Sequence, residues 1–323
     1  MKMQKLAKGL MILAILFFVL GFYPSKSLAK EKYEEKFEKT VPLAKDGKVI
    51  LSNVSGNIEV KSSKEDQVKI DALKVSQAST LAEAQENAKK VTIEVNKEDS
   101  VLRIETKYAK EEERERHRHL DVSVHYRLWI PEKASAKISS VSGDVDAEGI
   151  GGSLGINVVS GDVEIRKVDK GVDCNTVSGD LGVQDVSGDT YLKSVSGSII
   201  VNQVRGSIDA ETVSGDIELR QVSEAKSVRV KAVSGDVVYE GKIGPEGKYY
   251  LTAHSGDIEM LLPSDSGFEF EAETFSGDIE SDFPLEVSGK IRAREREVRG
   301  TINKGGASIK VTTFSGDISL KKV

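Results

Sequence analysis

The chain has 323 residues, of which 30% are charged and 6% are aromatic, and its formal net charge at pH 7 is −6. An acidic chain with one tryptophan is a poor candidate for binding nucleic acid or anionic lipid through bulk charge, or for stacking sugars on an aromatic platform. Its single cysteine, Cys174, cannot form an internal disulfide, so the fold must depend on a hydrophobic core.

The first 29 residues have the pattern of a secretory signal peptide. Lys2, Lys5 and Lys8 precede an uninterrupted apolar run at 10–22, and residues 27–29 (Ser-Leu-Ala) form a small-x-small cleavage site. The apolar run is shorter than the ~20 residues that span a bilayer, which favours cleavage, with an uncleaved signal anchor as the alternative. We therefore expect an extracytoplasmic protein, secreted or envelope-associated, with membrane contact only through this segment.

Residues 30–140 are predicted to form a β-rich N-terminal region. Its alternation of apolar and polar residues, typical of half-buried strands, occurs in KVILSNV, NIEVKSS, QVKIDALKV, VTIEVNK, VLRIETKY and VSVHYRLWI. The segment TLAEAQENAKK differs, because Thr80 followed by Glu83 is a capping-box signature. We predict one short helix near residues 80–90 that covers the adjoining edge of the sheet.

A group of polar residues lies at the start of the last of these strands. His119, Asp121 and His125 alternate with apolar residues and would share one strand face. His119 and His125 would lie about 20 Å apart along the strand, so only His119 and Asp121, with a residue from elsewhere, could ligate one Zn²⁺ or Ni²⁺ ion. A solvated strand face beside a charged loop is the simpler interpretation, and we expect no metal and no cofactor.

From residue 141 to 323 a Val-Ser-Gly-Asp motif and close variants recur. The serines of the Ser-Gly pairs are at 142, 160, 178, 187, 196, 214, 234, 255, 276, 288 and 315. The main steps are 18, 20 and 21 residues, and steps of nine also occur, so the unit has about nine residues and two units make the longer period. A fixed period of this kind is typical of a solenoid or of an array of hairpins.

Each unit combines apolar and charged positions in a strand-like order. In the unit VSGDIELRQ, we expect Val213, Ile217 and Leu219 to fill an inner column, whereas Glu218 and Arg220 face solvent. The pattern predicts an all-β fold, a parallel β-helix or β-solenoid with Ser-Gly-Asp corners, over residues 141–323. An antiparallel meander satisfies the same pattern, but identical coils bury a continuous column and hairpin turns prefer the acid before the glycine.

The glycine of the motif is predicted to provide a corner, either through a positive φ or through a close approach between coils. The predicted corner glycines are Gly143, Gly161, Gly179, Gly188, Gly215, Gly235, Gly256, Gly277 and Gly316. The serine hydroxyl and the aspartate carboxylate are expected to bond N–H groups of the corner.

Two chemical alternatives to a structural corner remain open. A Ca²⁺-stabilised β-roll has a nine-residue unit, but here the acidic position is Asn57, Ser198 or Lys290 in sister units, which is unusual for a row of ligands. A β-helix carbohydrate-active enzyme, a lyase or hydrolase, needs two carboxylates in unlike surroundings, whereas these acids recur uniformly. We therefore assign no catalytic residue.

The V-S-G-D-[VI]-x-[VIL] units, the exported N-terminus and the run LWIPEKASAKI before the first repeat resemble a bacterial family. Its members are β-strand-repeat proteins that carry an adhesin label and a domain of unknown function. The resemblance covers about residues 49–320 and implies a right-handed β-helix-like fold in an envelope-associated protein, with some relatives linked to envelope stress. The leading hypothesis is a non-catalytic envelope scaffold whose partner is an unidentified envelope protein or glycan, and not nucleic acid.

Overall fold

The structure, a computed structural model, describes residues 30–109, 120–223, 225–284 and 296–323. The predicted signal peptide and His119 lie outside the described residues, as does Lys290. In chain order the strands are β1 (Glu31–Pro42), β2 (Lys48–Ser52), β3 (Ile58–Ser63), β4 (Gln67–Ala78), β5 (Val91–Glu98), β6 (Val101–Tyr108), β7 (Asp121–Pro131), β8 (Ser135–Ser142), β9 (Val145–Ile150), β10 (Leu154–Ser160), β11 (Val163–Val168), β12 (Val172–Ser178), β13 (Leu181–Ser187), β14 (Thr190–Ser196), β15 (Ile199–Arg205), β16 (Ile208–Ser214), β17 (Ile217–Val222), β18 (Ser227–Ser234), β19 (Val237–Gly241), β20 (Lys248–Ser255), β21 (Ile258–Leu262), β22 (Phe268–Ser276), β23 (Ile279–Ser281), β24 (Arg296–Ile302), β25 (Ala307–Ser315) and β26 (Ile318–Lys322). One helix, α1 (Leu81–Lys89), lies between β4 and β5.

The strands form two sheets of 13 strands each. Sheet A has the order β1-β4-β7-β3-β9-β11-β13-β15-β17-β19-β21-β26-β23, and sheet B has the order β24-β22-β25-β20-β18-β16-β14-β12-β10-β8-β2-β6-β5. Through the repeats the chain passes from one sheet to the other after every strand and returns one position along. Leu154 of β10 pairs with Val172 of β12, 18 residues later, in parallel register. This confirms the all-β fold and the parallel solenoid, and it excludes the meander of antiparallel hairpins for the repeats.

Each coil has two corners. At the first corner, which joins sheet B to sheet A, a Ser-Gly-Asp triplet begins at the last residue of the strand, as at 160–162 between β10 and β11. At the second corner, which joins sheet A to sheet B, the sequence varies, with Gly-Gly-Ser at 151–153 and Ser-Gly-Asp at 187–189. The nine-residue unit of the sequence is therefore half a coil, and the 18-residue period is a complete coil.

The core lies between the two sheets and consists of stacked inward-facing residues. Ile217 and Leu219 of β17 have no exposed surface, and their charged neighbours Glu218 and Arg220 lie on the outer face, as predicted. The prediction for Val213 is wrong, because this side chain is 48% exposed. Strand β16 alternates from Ile208 onwards, so the preceding residue, Thr212, points inward and Val213 points outward.

The predicted boundary at residues 140/141 does not interrupt the sheets. Strands β2 and β3 already form a coil around the triplet at 55–57 (Ser-Gly-Asn), and they pair in parallel with β8 and β9. The N-terminal region adds antiparallel strands at one end: β1 pairs with β4, β4 pairs with β7, and β5 pairs with β6.

Helix α1 confirms the predicted cap. The Thr80 Oγ1 atom accepts a hydrogen bond of 3.2 Å from the backbone N–H of Glu83, which satisfies one of the free donors of the first turn. Ala84 and Ala88 are buried, and the helix packs against β4 and β1 at the edge of sheet A. In the described part of the chain, no helix is both long and apolar enough to cross a membrane.

The order of the coils departs from the order of the chain at both ends. The coil of β25 and β26 lies between the coil of β20 and β21 and the coil of β22 and β23, with parallel pairing on both sides. At the other end, the coil of β2 and β3 likewise lies between β6 and β7 and the later strands β8 and β9. Strand β24 pairs antiparallel with β22 at the edge of sheet B.

Candidate binding groove

The predicted corner glycines adopt the positive φ angles that the motif requires. Eight of them, namely Gly143, Gly161, Gly179, Gly215, Gly235, Gly256, Gly277 and Gly316, stack at the first corner with φ between 122° and 155°. Gly188, with φ 102°, lies instead at the second corner. At Gly161 a Cβ atom would lie 2.3 Å from the carbonyl oxygen of Gly143. The stacking distance therefore excludes any side chain at this position, independently of the φ angle.

The third residues of the first-corner triplets, mostly aspartates, form a continuous stack that we call the aspartate row. Its members are Asn57, Asp144, Asp162, Asp180, Ser198, Asp216, Asp236, Asp257, Asp317 and Asp278. From Asn57 to Asp317, each side chain accepts a hydrogen bond from the backbone N–H of the next member; for example, the N–H of Asp180 donates to Oδ1 of Asp162 at 2.9 Å. The row thus satisfies corner N–H groups, and each of these bonds to an aspartate uses a single carboxylate oxygen.

A groove of about 990 Å³ lies on the outer face of sheet A beside the aspartate row. It crosses eight neighbouring strands, from β1 to β15, which corresponds to a length of about 34 Å along the solenoid axis. Its eight carboxylates are Glu38, Glu59, Asp71, Asp144, Asp146, Asp162, Glu164 and Asp180, and its cationic side chains are Lys32, Lys36 and Arg127. The lysines belong to β1 at one end of the groove, and the exposed apolar side chain of Ile200 lies at the other end.

Some groove carboxylates are neutralised by neighbours. Asp146 accepts from Arg166 at 2.8 Å, Asp71 is 3.1 Å from Lys69, and Glu59 is 3.5 Å from Arg127. These partly exposed pairs contribute little to stability, but they cancel local charge. The three aspartates of the row behave differently.

Asp144, Asp162 and Asp180 have no cation within ion-pair distance among the residues that the structure describes. Each of these carboxylates accepts a hydrogen bond from one backbone N–H, that of the next member of the row. One wall of the groove therefore carries uncompensated negative charge at a spacing of one coil, about 4.8 Å.

Four described carboxyls, none of which lines the groove, have a clearly shifted pKa. The resolved carboxylate shifts, at Glu34, Glu86, Glu148 and Glu271, all lower the pKa, and a hydrogen bond from a lysine is the largest cause in each case. A catalytic acid at neutral pH needs the opposite, a carboxyl whose pKa is raised by an apolar or negatively charged environment.

Of the two candidate metal ligands, His119 lies outside the described residues, and Asp121 lies in an ordinary polar contact. Asp121 forms an ion pair of 2.6 Å with Lys30 at the start of β7. His125 lies in the groove, where its Nδ1 accepts from the backbone N–H of Asn57 at 3.2 Å and its Nε2 is 3.2 Å from the Ser123 hydroxyl. Within the described ranges, no group of three or more His, Cys, Asp or Glu side chains could hold a metal ion.

Sequence reasoning identified the aspartate row but missed the groove. The strand β1, which supplies Lys32 and Lys36, was not predicted, because seven of its twelve residues are charged. Its half-buried residues Tyr33, Phe37 and Val41 recur at every fourth position instead of every second. Only the pairing of β1 with β4 shows that this segment completes the groove.

Three solved structures that resemble this chain at low identity come from Bacteroides fragilis and Parabacteroides distasonis. A candidate adhesin from Bacteroides fragilis NCTC 9343 is 13% identical, with a TM-score of 0.43, over 94% of this chain and 100% of that chain. A candidate adhesin from Parabacteroides distasonis ATCC 8503 is 15% identical, with a TM-score of 0.47, over 88% and 97%. A candidate lipid binding protein from the same organism is 12% identical, with a TM-score of 0.39, over 90% and 97%.

At these identities and TM-scores the structural similarities carry no functional information. No curated protein matches the sequence. The family model for Toastrack DUF4097 matches residues 47–242 and 241–321, which include the corner glycines, the aspartate row and both flanking sheets. The chain therefore belongs to the Toastrack DUF4097 family, a family with a domain of unknown function.

Proposed function

We propose that the protein is a non-catalytic binding scaffold of the bacterial cell envelope, and that its sheet A groove binds an extended, positively charged segment of a partner protein. The observation that carries this proposal is the wall formed by Asp144, Asp162 and Asp180, which has one carboxylate per coil and no described cation beside it. Because charges across an interface are complementary, a regular row of negative charges favours a partner chain with repeated positive charges.

Rigidity supports a binding role. The corner hydrogen bonds and the parallel pairing hold every member of the aspartate row in place before a partner arrives, so binding requires little ordering of the protein. We also propose that the coils wind right-handed, the sense that nearly all parallel crossover connections adopt. Such a surface suits both an adhesin-like role and a scaffold in an envelope-stress response, the two roles that the sequence resemblance implies.

The binding site is tested with a fluorescent decalysine peptide at low ionic strength. We expect saturable binding that weakens steeply as salt is added, because exposed charges are screened. The variant Asp144→Asn/Asp162→Asn/Asp180→Asn should weaken this binding at least tenfold. Asparagine retains the acceptor oxygen that Asn57 already provides in the row, so the corner bonds are preserved while the charge is removed.

A matched control uses the same row outside the groove. The variant Asp236→Asn/Asp257→Asn/Asp317→Asn removes the same charge from corners with the same hydrogen bonds, and these residues do not line the groove. We expect this variant to bind the peptide like the wild type. Equal losses in the two variants would contradict a site in the groove. Saturable binding of a neutral glycan instead of decalysine would assign the groove to a carbohydrate.

Delivery to the envelope rests on the N-terminal pattern of residues 1–29. After expression in a bacterial host, the protein is expected outside the cytoplasm with Lys30 as its N-terminal residue, as determined by fractionation and N-terminal sequencing. A chain that keeps Met1 and stays in the cytoplasm would contradict export while leaving the groove proposal intact.

The regularity of the groove supports a scaffold over a carbohydrate-active enzyme. Adjacent row aspartates have the same acceptor role towards backbone N–H groups, whereas a glycosidase needs two carboxyls in different surroundings. Incubation with a panel of cell-wall and plant glycans should leave them intact. Cleavage that a single Asp→Asn substitution abolishes would overturn the non-catalytic assignment.

A further inference from the structure

The residue before each first-corner serine forms a second stack, which we call the hydrophobic row. It lies on the outer face of sheet B, at the last outward position of each strand. In spatial order its members are Val54, Val141, Val159, Val177, Val195, Val213, Val233, His254, Phe314 and Phe275. The valines and phenylalanines are 40% to 49% exposed.

The fold does not require hydrophobic side chains at these positions. The core between the sheets is filled by the inward residues of the same strands, such as Ile156 and Val158 of β10. Two residues before each valine, the same outer face carries polar residues, for example Asn157 in β10 and Asn175 in β12. A polar side chain is therefore compatible with the outer face of these strands, and the hydrophobic row needs another explanation.

The size of the row is that of an interface. Ten side chains on neighbouring strands extend over about 43 Å. With nine of them 40% to 49% exposed, the row offers on the order of 600 Å² of surface, comparable with the ~800 Å² that each partner buries in a standard protein interface. Isolated exposed valines are ordinary on a protein surface, but a continuous row of this length is not.

The geometry of the aromatic end disfavours sugar as the occupant. His254 stacks on Phe314 with ring centroids 5.1 Å apart and planes 15° apart, and Phe314 stacks on Phe275 at 4.8 Å and 4°. The rings therefore cover each other's faces and present their edges outward. A sugar ring packs against the face of an aromatic ring, and the stack leaves no inner face available.

Charge disfavours a lipid surface. A member of the aspartate row lies three residues after each hydrophobic side chain, at the same corner; Asp180, for example, follows Val177. An anionic membrane surface would repel this row. The partner must instead bind the hydrophobic row and be compatible with the negatively charged aspartate row beside it.

We propose that the hydrophobic row is the interface between two copies of this chain, lying side by side with their solenoid axes parallel. A second solenoid has hydrophobic side chains that recur at the same spacing, about 4.8 Å. Each side chain of one hydrophobic row therefore contacts a side chain of the other row. The interface is isologous, with a two-fold axis that runs along the rows.

The charges beside the row select the parallel arrangement. In this arrangement the aspartate row of each copy faces the polar row of the other copy. That polar row mixes neutral side chains with charges of both signs, such as Lys193, Glu211 and Lys231, and is less acidic than a second aspartate row. An antiparallel arrangement would bring the two aspartate rows together, which is unfavourable for like charges. The groove is on the outer face of sheet A and the hydrophobic row is on the outer face of sheet B, so the dimer leaves that face of sheet A open. Only the aspartate row, at the corner between the sheets, borders both sites, and the dimer does not rest on the proposed function.

The dimer is tested by sedimentation equilibrium of the full chain, as processed by its host, over a range of concentrations. The wild type is expected to be a dimer, and Val159→Lys/Val177→Lys is expected to be a monomer with an unchanged circular dichroism spectrum. The control Asn157→Lys/Asn175→Lys places the same charges on the same two strands and outer face, and it should not weaken the dimer.

A monomeric wild type, or a lysine variant that still dimerises, overturns the proposal. A monomeric wild type that floats with phosphatidylcholine vesicles, and loses this property in Val159→Lys/Val177→Lys, would assign the row to a lipid surface instead.

Orientation is tested by cysteine cross-linking with a short bismaleimide. Cys174 is fully buried, and burial raises the pKa of its thiol, so it is expected to react poorly. In the parallel dimer Val141→Cys, near one end of the row, cross-links to itself, whereas Lys61→Cys on the outer face of sheet A does not. Cross-linking of Val141→Cys only to a Phe314→Cys chain would show the antiparallel arrangement and contradict the one proposed.

Discussion

The backbone N–H of Asp180 donates a hydrogen bond of 2.9 Å to Oδ1 of Asp162, which lies 18 residues earlier in the chain and one coil away. The same relation recurs along the first corner, so each aspartate stabilises the coil that follows it. The amide of Asn57 occupies the same role towards Asp144. Acceptor capacity, rather than charge, is therefore what the corner requires.

This relation predicts opposite outcomes for two substitutions at one position. Asp162→Asn keeps the acceptor and should change the free energy of unfolding little, whereas Asp162→Ala leaves the Asp180 N–H without its partner and should cost about 0.5–1.5 kcal/mol. Urea unfolding followed by circular dichroism measures both. If the asparagine variant were as unstable as the alanine variant, the charge would be what the corner needs.

The close approach of stacked glycines predicts a strong effect of a single methyl group. Gly161→Ala should destabilise the protein by about 1–3 kcal/mol, because φ is 137° and the new Cβ would lie 2.3 Å from the Gly143 carbonyl oxygen. Gly155→Ala is the control, since its Cβ would have a single neighbour, at 3.8 Å, on an outer strand face. It should be neutral or slightly stabilising in the same urea titration.

The ion pair at Glu271 predicts a contribution to acid sensitivity. Hydrogen bonding from Lys310 at 2.8 Å lowers the pKa of this carboxyl from its usual 4.5. A lowered folded-state pKa stabilises the protein above about pH 4.5, and this contribution is lost as the pH falls through the folded-state value. Glu271→Gln should therefore show a smaller decrease in urea midpoint between pH 6 and pH 3 than the wild type.

The exposed Glu269, on the same strand, provides the comparison. It has no ion pair among the described residues, so Glu269→Gln should retain the wild-type pH dependence. A wild-type profile for Glu271→Gln would contradict the role of the Lys310 contact. Solvent exposure of the pair keeps the expected difference small.

The inserted coil of β25 and β26 predicts complementation by a peptide. Chain termination after Gly306 would leave β20 and β22 without the strand that pairs with both of them, and the melting temperature should fall. A synthetic peptide of residues 307–323 should bind the shortened protein and restore the melting temperature. A scrambled peptide should have no effect, and equal rescue by both would contradict insertion in register.

The hydrogen-bonded aspartates predict indifference to calcium. Their carboxylates bond backbone N–H groups at distances of 2.7 to 3.1 Å, and the described residues contain no cluster suited to a metal. The melting temperature should therefore be the same in excess chelator and in millimolar Ca²⁺. A large calcium-dependent rise would instead support the Ca²⁺-stabilised roll.

The inner columns could be predicted because strand periodicity connects directly to burial. Counting from each glycine places Ile217 and Leu219 inside, and both are fully buried. The same count fails for Val213, which precedes the corner and belongs to the previous strand. Counting by two from Ile208 places Thr212 inside and Val213 outside. Alternation within β16 therefore predicts the correct orientation, whereas the hydrophobicity of Val213 alone predicts the wrong one.

The order of the coils and the position of β1 could not be predicted from the pattern. Every coil presents the same apolar columns. The pattern therefore allows β25 to pair on the far side of β22, in chain order, as well as between β20 and β22, where the structure places it. Strand β1 has no alternation of apolar and polar residues in its charged sequence. It forms a strand because it pairs with β4 over twelve residues. The groove depends on β1 and was therefore beyond a sequence-based prediction.

The insertion of β25 and β26 between two earlier coils has a consequence for how the molecule is made. From β8 onwards, a chain that emerges N-terminus first, from a ribosome or from a secretion channel, can stack its coils in order only as far as β20 and β21. Strands β22 and β23 then have no settled neighbour until residues 307–322 have also emerged. This end of the molecule therefore folds only after residues 307–322 have emerged, and until then its open strand edges are what a chaperone would meet.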